Sequence, residues 1–360
     1  MVSIVLVTYN RAKRLQLSIQ DILDQSFRNF ELIICDDCST DETESVCRQY
    51  EAQDTRIRYI RHSANKQMPG NLNFGIAQAR YEFVAILHDG DRFRRDLIEQ
   101  WYNAISKHAT VGFVFNSIGE SDENEGIIKT FQEFPEGVVK KDELLRSIYF
   151  RRPHFDSPVY GEAMVRKELI VKYGFLKKEY GFYADVDLWM ELLHDHDAYY
   201  CRDVLIKCPA KSFQPQLFKA DIVKFNVFLF SMHLKHRKKA FVNDSSVMSK
   251  ELGIFYVHTL FQTCYFLLLV VKNYRFTYLI TSGTRLMKYP WLLFPWASFV
   301  VAYPIFKLTL MTYQWTKPLS IKNRLSPSKW IYAVHEEFQS LVHGLEALGG
   351  VMMATIPGLL

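Results

Sequence analysis

Short apolar runs rich in β-branched residues alternate along this chain with segments whose apolar positions recur every three or four residues. Residues 3–9 form the first run, which suits a parallel strand buried on both faces. Residues 11–25 then place Leu15, Ile19, Ile22 and Leu23 at helical spacing. A second strand over 30–35 ends at Asp36-Asp37, and Ser39-Thr40-Asp41-Glu42 opens a helix reaching about residue 52. A third strand over 56–60, a helix over 71–80 and a fourth strand over 83–87 follow, the last running into His88-Asp89-Gly90-Asp91. This βαβαβαβ alternation predicts an α/β fold, a doubly wound and mostly parallel sheet with helices on both faces. Ligands of such sheets bind beyond the carboxyl ends of the strands. Thr8-Tyr9-Asn10, Asp36-Asp37 and Asp89-Gly90-Asp91 all fall at such ends, which points to one shared site. Further on, 111–117 reads as a strand, the acidic, glycine-containing 120–137 as a mobile loop, and 184–189 as the opening of a helix.

Charge divides the chain. The first 220 residues hold 29 basic and 33 acidic side chains, and the remaining 140 hold 15 and 6. The front therefore reads as an α/β domain over 1–215, and the back, 216–360, as a mainly helical region that is both basic and apolar. Within it, 254–271 and 291–306 are apolar, but each falls short of the roughly 20 residues a bilayer crossing needs. Lys and Arg flank both stretches on every side, which opposes a positive-inside hairpin. Three readings stay open: helices lying in a membrane interface through 221–330, a soluble helical cap or dimer interface, and true spanning. Basic, aromatic and apolar together favour an anionic membrane surface, not nucleic acid, as partner. The six cysteines include the pair Cys35 and Cys38, yet no second pair stands at zinc-finger spacing, so buried reduced thiols are expected. The chain opens directly on a strand, which leads us to expect no signal peptide and a cytoplasmic enzyme, peripheral on the inner face of the membrane.

Acidic residues supply the candidate chemistry. Asp36-Asp37 ends the second strand, Asp89 and Asp91 follow the fourth, and Asp185 and Asp187 stand at a helix start. Carboxylates at a strand end can hold a divalent cation on a diphosphate, and a carboxylate opposite can act as a general base. Singly, such pairs are commonly turns and helix caps. Three of them, two on strand ends of one sheet, are harder to assign to capping alone.

The segments Val5-Leu6-Val7-Thr8-Tyr9-Asn10, Phe30 to Thr43 with Asp36-Asp37 inside it, Phe83 to Asp91, and Tyr183-Ala184-Asp185-Val186-Asp187-Leu188-Trp189 together resemble the sequence blocks of family 2 glycosyltransferases, in family order and spacing, over about residues 2–210. The resemblance implies a GT-A fold and inverting transfer of a sugar from a nucleoside diphosphate sugar, UDP by default. The acceptor would be a saccharide or a lipid-linked glycan in surface polysaccharide assembly. It implies that Thr8, Tyr9 and Asn10 line the nucleotide pocket and that Asp37 accepts a hydrogen bond from the base, Asp36 being structural. Asp91, assisted by Asp89, would hold Mg²⁺ or Mn²⁺, Asp89 also facing the sugar nucleotide. Asp185 would be the catalytic base, and Asp187 a helix N-terminal or supporting group.

The chain departs from the family pattern at several positions. His88 and Gly90 occupy acidic places of the metal block, so either one ligand is lost or Asp89 replaces it. His88 itself reads as a ligand or as a packed histidine. Gln67 and Tyr81 stand where the family often has glycine, and Ala184 where it often has Glu. A sugar nucleotidyltransferase or a dinucleotide-binding enzyme would want a glycine-rich loop after the first strand, where Thr8-Tyr9-Asn10-Arg11-Ala12-Lys13 has none. A non-catalytic sugar-nucleotide-binding relative is the reading from another class, kept open by Gly90 and Ala184.

Overall fold

The computed structural model describes residues 1–122, 124–150, 158, 159, 161–210, 232, 235 and 236. They all belong to one compact unit, 1–243; the remaining 244–360 make up a second. The stretches 254–271 and 291–306 lie outside the described residues. Among the described residues no helix is long and apolar enough to cross a membrane.

The first four apolar runs are strands: β1 (Val2–Thr8), β2 (Phe30–Asp36), β3 (Ile57–Arg61) and β4 (Phe83–His88). Helices α1 (Ala12–Leu23), α2 (Thr43–Gln53) and α3 (Gln67–Gln78) connect them. β1 pairs in parallel with β2 and β4, and β2 with β3, in the order β3-β2-β1-β4. All seven residues of β1 and of β2 are buried, which is why both strands are mostly apolar instead of alternating, the polar Ser3 and Glu31 pairing with each other at 2.7 Å. The chain reverses direction of sheet growth between β1 and β4, and a ligand crevice opens at such a reversal.

Beyond β4 the pairing changes sense. The chain continues through β5 (Arg92–Phe93), α4 (Leu97–Lys107), β6 (Val111–Ser121), β7 (Ile127–Phe131), β8 (Gly137–Val139), α5 (Lys141–Phe150), β9 (Ala163–Arg166), α6 (Lys167–Tyr173), a 3-10 segment Lys178–Tyr183, α7 (Ala184–Leu192) and β10 (Asp197–Pro209). The sheet extends as β4-β9-β6-β10-β5, with β9 antiparallel to both neighbours and β10 parallel to β6. The stretch 120–137, expected as a loop, instead carries β7 and β8. The turn between β6 and β7 is closed by Asp122, whose Oδ1 accepts the backbone N–H groups of Asn124 and Gly126.

Helices cover both faces of the parallel half. On one, Ile4, Leu6, Leu32, Ile34, Ala85 and Leu87 pack with Leu15, Ile19 and Ile22 of α1 and Trp101 and Ile105 of α4. On the other, α3 approaches so closely that a Cβ on Gly75 would lie 2.5 Å from Val5 Cγ1 and 2.9 Å from Cys35 Sγ. The described cysteines are all free, and burial pushes the Cys35 thiol up to about 12, so it behaves as an inert apolar group.

Gly75→Ala should therefore force α3 away from β1 and β2. The expected cost is about 1–3 kcal/mol, read as a lower midpoint in urea denaturation; an unchanged midpoint would show that the helix can shift freely.

Candidate active site

Thr8, the last residue of β1, is buried and sits between the ends of β2 and β4. Its hydroxyl donates to Asp89 Oδ2 at 2.7 Å, and its carbonyl accepts the Asp37 N–H at 3.0 Å. Asp89 is further faced by Arg11, whose Nη1 stands 3.5 Å from Oδ1. Burial outweighs these contacts and raises the Asp89 carboxyl above its ordinary value. Asn10 adopts φ +53°, and its Oδ1 accepts the Thr40 N–H at 2.7 Å, which joins the loop after β1 to the loop after β2. Tyr9 beside it is about half exposed. Thr8, Tyr9, Asn10, Asp37 and Asp89 are thus brought to one crevice.

The two aspartates of β2's end separate in role. Asp36 is fully buried, and its carboxylate accepts the Ser39 N–H and the Tyr59 hydroxyl. Asp37 accepts the backbone N–H groups of Lys66 and Gln67, at 2.6 and 2.9 Å, ahead of α3. Gln67 stands at φ +59° and Met68 is extended, so the regular turns of α3 begin only after Met68. A left-handed conformation is the physical reason a glycine would be at home at position 67.

The turn after β4 is gripped by α1. Ser18 Oγ donates to the Asp91 carbonyl at 2.8 Å and accepts the Gly90 N–H at 3.1 Å. Gly90 has φ +88°, and a Cβ there would meet Arg14 Cδ at 3.2 Å. That conformation disfavours an acidic residue at 90 and leaves Asp91 as the acid retained at the end of the block.

Asp91, the residue expected to hold the cation, has a different set of neighbours. It clusters with His88 and Glu162, their candidate ligand atoms all within 4.8 Å of one another. Glu162 is buried, and its Oε1 accepts the His88 backbone N–H at 3.1 Å. The antiparallel register of β9 on β4 brings it there, since Ala163 lies opposite Ile86. One imidazole and two carboxylates are a donor set that fits a divalent cation, and the nitrogen shifts the preference from Mg²⁺ toward Mn²⁺. Asp185, in the first turn of α7, faces the same place. A Cβ built on Gly161 would lie 3.1 Å from Asp185 Oδ2 and 2.6 Å from His88 Cε1. Asp187, two residues on, is buried and turned instead to Lys177, Lys235 and His236.

Glu162 and Gly161 escape a reading of the sequence because only the antiparallel return of β9 brings them beside β4. The available signal was a buried-type strand, Ala163–Arg166, opened by a Gly-Glu pair.

Comparison with known proteins adds the following. Residues 3–170 match the family model for glycosyl transferase family 2. A GalNAc(5)-diNAcBac-PP-undecaprenol beta-1,3-glucosyltransferase of Campylobacter jejuni is 29% identical over 198 residues, covering 55% of this chain and 61% of that protein. A putative teichuronic acid biosynthesis glycosyltransferase, TuaG, of Bacillus subtilis is 28% identical over 148 residues, covering 41% and 58%. The chain thus spans about three fifths of the length of these two relatives. A crystal structure of S. aureus TarS 1-349 in complex with UDP-GlcNAc superposes with a TM-score of 0.54 at 18% identity, over 71% of this chain and 72% of that one, which shows a shared fold.

Gly161→Ala should displace the His88 ring while leaving the sheet intact. We expect Mn²⁺ affinity, measured by calorimetry, to fall at least tenfold, with little change in the thermal midpoint. Undiminished affinity would remove His88 from the donor set.

Proposed function

We propose, from the match of residues 3–170 to the model for glycosyl transferase family 2, that the chain is an inverting, metal-assisted glycosyltransferase acting on a nucleoside diphosphate sugar. The observation that carries the proposal is the meeting of His88, Asp91 and Glu162 with Asp185 across Gly161, beside the crevice lined by Thr8 and Asp37. A cation-binding set and a separate carboxylate are the two parts that transfer from a diphosphate donor requires.

The nucleoside enters at the ends of β1 and β2, where Tyr9 offers an exposed ring and Asp37 retains acceptor capacity on both carboxylate oxygens. Arg11 and Arg14, on either side of Gly90, give the diphosphate a basic wall. A divalent cation on His88, Asp91 and Glu162, with Asp89 behind them, would offset the charge of the departing diphosphate. Asp185 takes the proton from the acceptor hydroxyl as that oxygen bonds to the anomeric carbon, and the bond to the diphosphate oxygen breaks on the opposite face. UDP-sugars are the first donors to test, because a structure of the same fold holds UDP-GlcNAc. A lipid-linked glycan is the acceptor class supported by the undecaprenol-linked substrate of the Campylobacter relative. The basic and aromatic composition of 221–330 supports docking on the cytoplasmic face of a membrane, where such an acceptor resides.

Calorimetry of the full chain with UDP-, GDP-, dTDP- and CMP-sugars, with Mn²⁺, Mg²⁺ or EDTA, tests the donor site. Asp91→Ala should abolish metal-dependent donor binding, whereas Asp185→Asn should bind donor within about threefold of wild type and lose at least 10²-fold in transfer rate. Equal loss of binding in both variants would reverse the roles, and binding without transfer in wild type would point to a non-catalytic relative. Docking has its own readout: the full chain should sediment with anionic liposomes at low salt and detach at high salt. A protein that stays in the supernatant at low salt would exclude it.

A further inference from the structure

The segment that leaves β4, residues 89–94, is held along its length by one face of α1. Arg11, Arg14, Ser18, Asp21 and Gln25 recur at intervals of three or four, which aligns them along one side of the helix and its two ends. Their contacts advance in step with the chain. Arg11 Nη1 stands 3.4 Å from the Asp89 carbonyl, and the Arg14 side chain lies beside Gly90. Ser18 holds Gly90 and Asp91, Asp21 holds Arg92 and Phe93, and Gln25 Nε2 donates to the Arg94 carbonyl at 2.8 Å. Asp89, Gly90 and Asp91 belong to no strand, so side chains of α1 meet backbone groups that a ladder would otherwise satisfy.

Two of these grips bracket Asp91. Ser18 is fully buried, and its one hydroxyl both donates to the Asp91 carbonyl and accepts the Gly90 N–H. On the other side, Asp21 takes Arg92 with both carboxylate oxygens, Oδ2 from Nε at 2.7 Å and Oδ1 from Nη2 at 2.9 Å. Such a bidentate pair fixes direction as well as distance. Asp21 Oδ2 also accepts the Phe93 N–H at 2.9 Å, and Arg92 Nη1 reaches Glu125 in the turn between β6 and β7. With the backbone held before and after it, Asp91 places its carboxylate by side-chain rotation alone, among a few staggered positions. A divalent cation needs its ligands at set distances, and ligands keep such distances only when the groups behind them are rigid. Neither Ser18 nor Asp21 belongs to the cluster of His88, Asp91 and Glu162; both act on it through the main chain.

We propose that Ser18 and Asp21 are positioning residues that set the Asp91 carboxylate for the cation, an inference that rests on reading His88, Asp91 and Glu162 as the cation-binding set. Gln25 belongs to the same stripe and is equally buried, but it holds Arg94 and, through Oε1, the Ile98 N–H at the start of α4. It supports the fold beyond Asp91 and leaves the carboxylate alone.

Calorimetric titration of the EDTA-stripped full chain with MnCl₂, with urea midpoints measured in parallel, separates positioning from support. Ser18→Ala should weaken Mn²⁺ binding roughly 10–100-fold, and Asp21→Asn should weaken it in the same direction. Gln25→Met should lower the urea midpoint yet keep Mn²⁺ affinity within about twofold of wild type. Affinity that merely follows the urea midpoint across the three variants would overturn the proposal, since the stripe would then be structural support only. Wild-type affinity in Ser18→Ala and Asp21→Asn, with affinity lost in Asp91→Ala, would overturn it as well. Undiminished affinity in Asp91→Ala would instead sink the cation-site reading, and the proposal with it. Should Ser18→Ala fail to fold, Asp21→Asn against Gln25→Met decides by the same comparison.

Discussion

Three parallel strands end together in this protein, and their ends have no further ladder to join. Thr8 resolves that constraint. Its hydroxyl holds Asp89 of the β4 turn, and its carbonyl holds the backbone of Asp37 after β2. Because Thr8 is buried, neither bond competes with bulk water, and both fix loops that would otherwise be mobile. The loop after β1 is held to the loop after β2 by Asn10 and Ser39, and the β4 turn to α1 by Ser18. The candidate chemistry sits on loops, but on loops tied to the most buried strands of the sheet.

The parallel half and its crevice were legible in the sequence because they depend on local signals. Continuous apolar runs identified β1, β2 and β4, and the polar residues that stop each run are those that line the crevice. The departures were visible as well, though their reasons were not. Gly90 and Gln67 both occupy left-handed conformations, which sequence alone does not reveal. At position 90 glycine answers that requirement; at position 67 the requirement is met by Gln, held by the Asp37 carboxylate. Asp89 turns toward Thr8 and Arg11, while Asp91, the acid retained at the end of the block, joins His88 and Glu162.

What escaped was non-local. Glu162 reaches His88 only through the antiparallel pairing of β9 with β4, more than seventy residues apart in sequence. His194 and His236 meet across 42 residues, with no spacing that marks the contact. The hairpin of β7 was hidden for a different reason. Its turn chemistry, read without its partner, resembles a loop, and the strand becomes apparent only from its register on β6.

α7 shows how one helix can separate two environments. Successive residues of an α-helix are rotated by about 100°, so Asp185 and Asp187 point in nearly opposite directions. Asp185 is half-buried and faces the His88 side. Asp187 is buried; desolvation alone would raise its carboxyl, but His236 and Lys235 outweigh it and keep the group ionised well into acid. Glu191 follows the same pattern with His194, Lys235 and Lys177. Charges held this way anchor a helix strongly only while every partner is present, because removing one leaves another buried and unpaired. The position of Asp185 is therefore coupled to Lys235 and His236, far downstream in the chain.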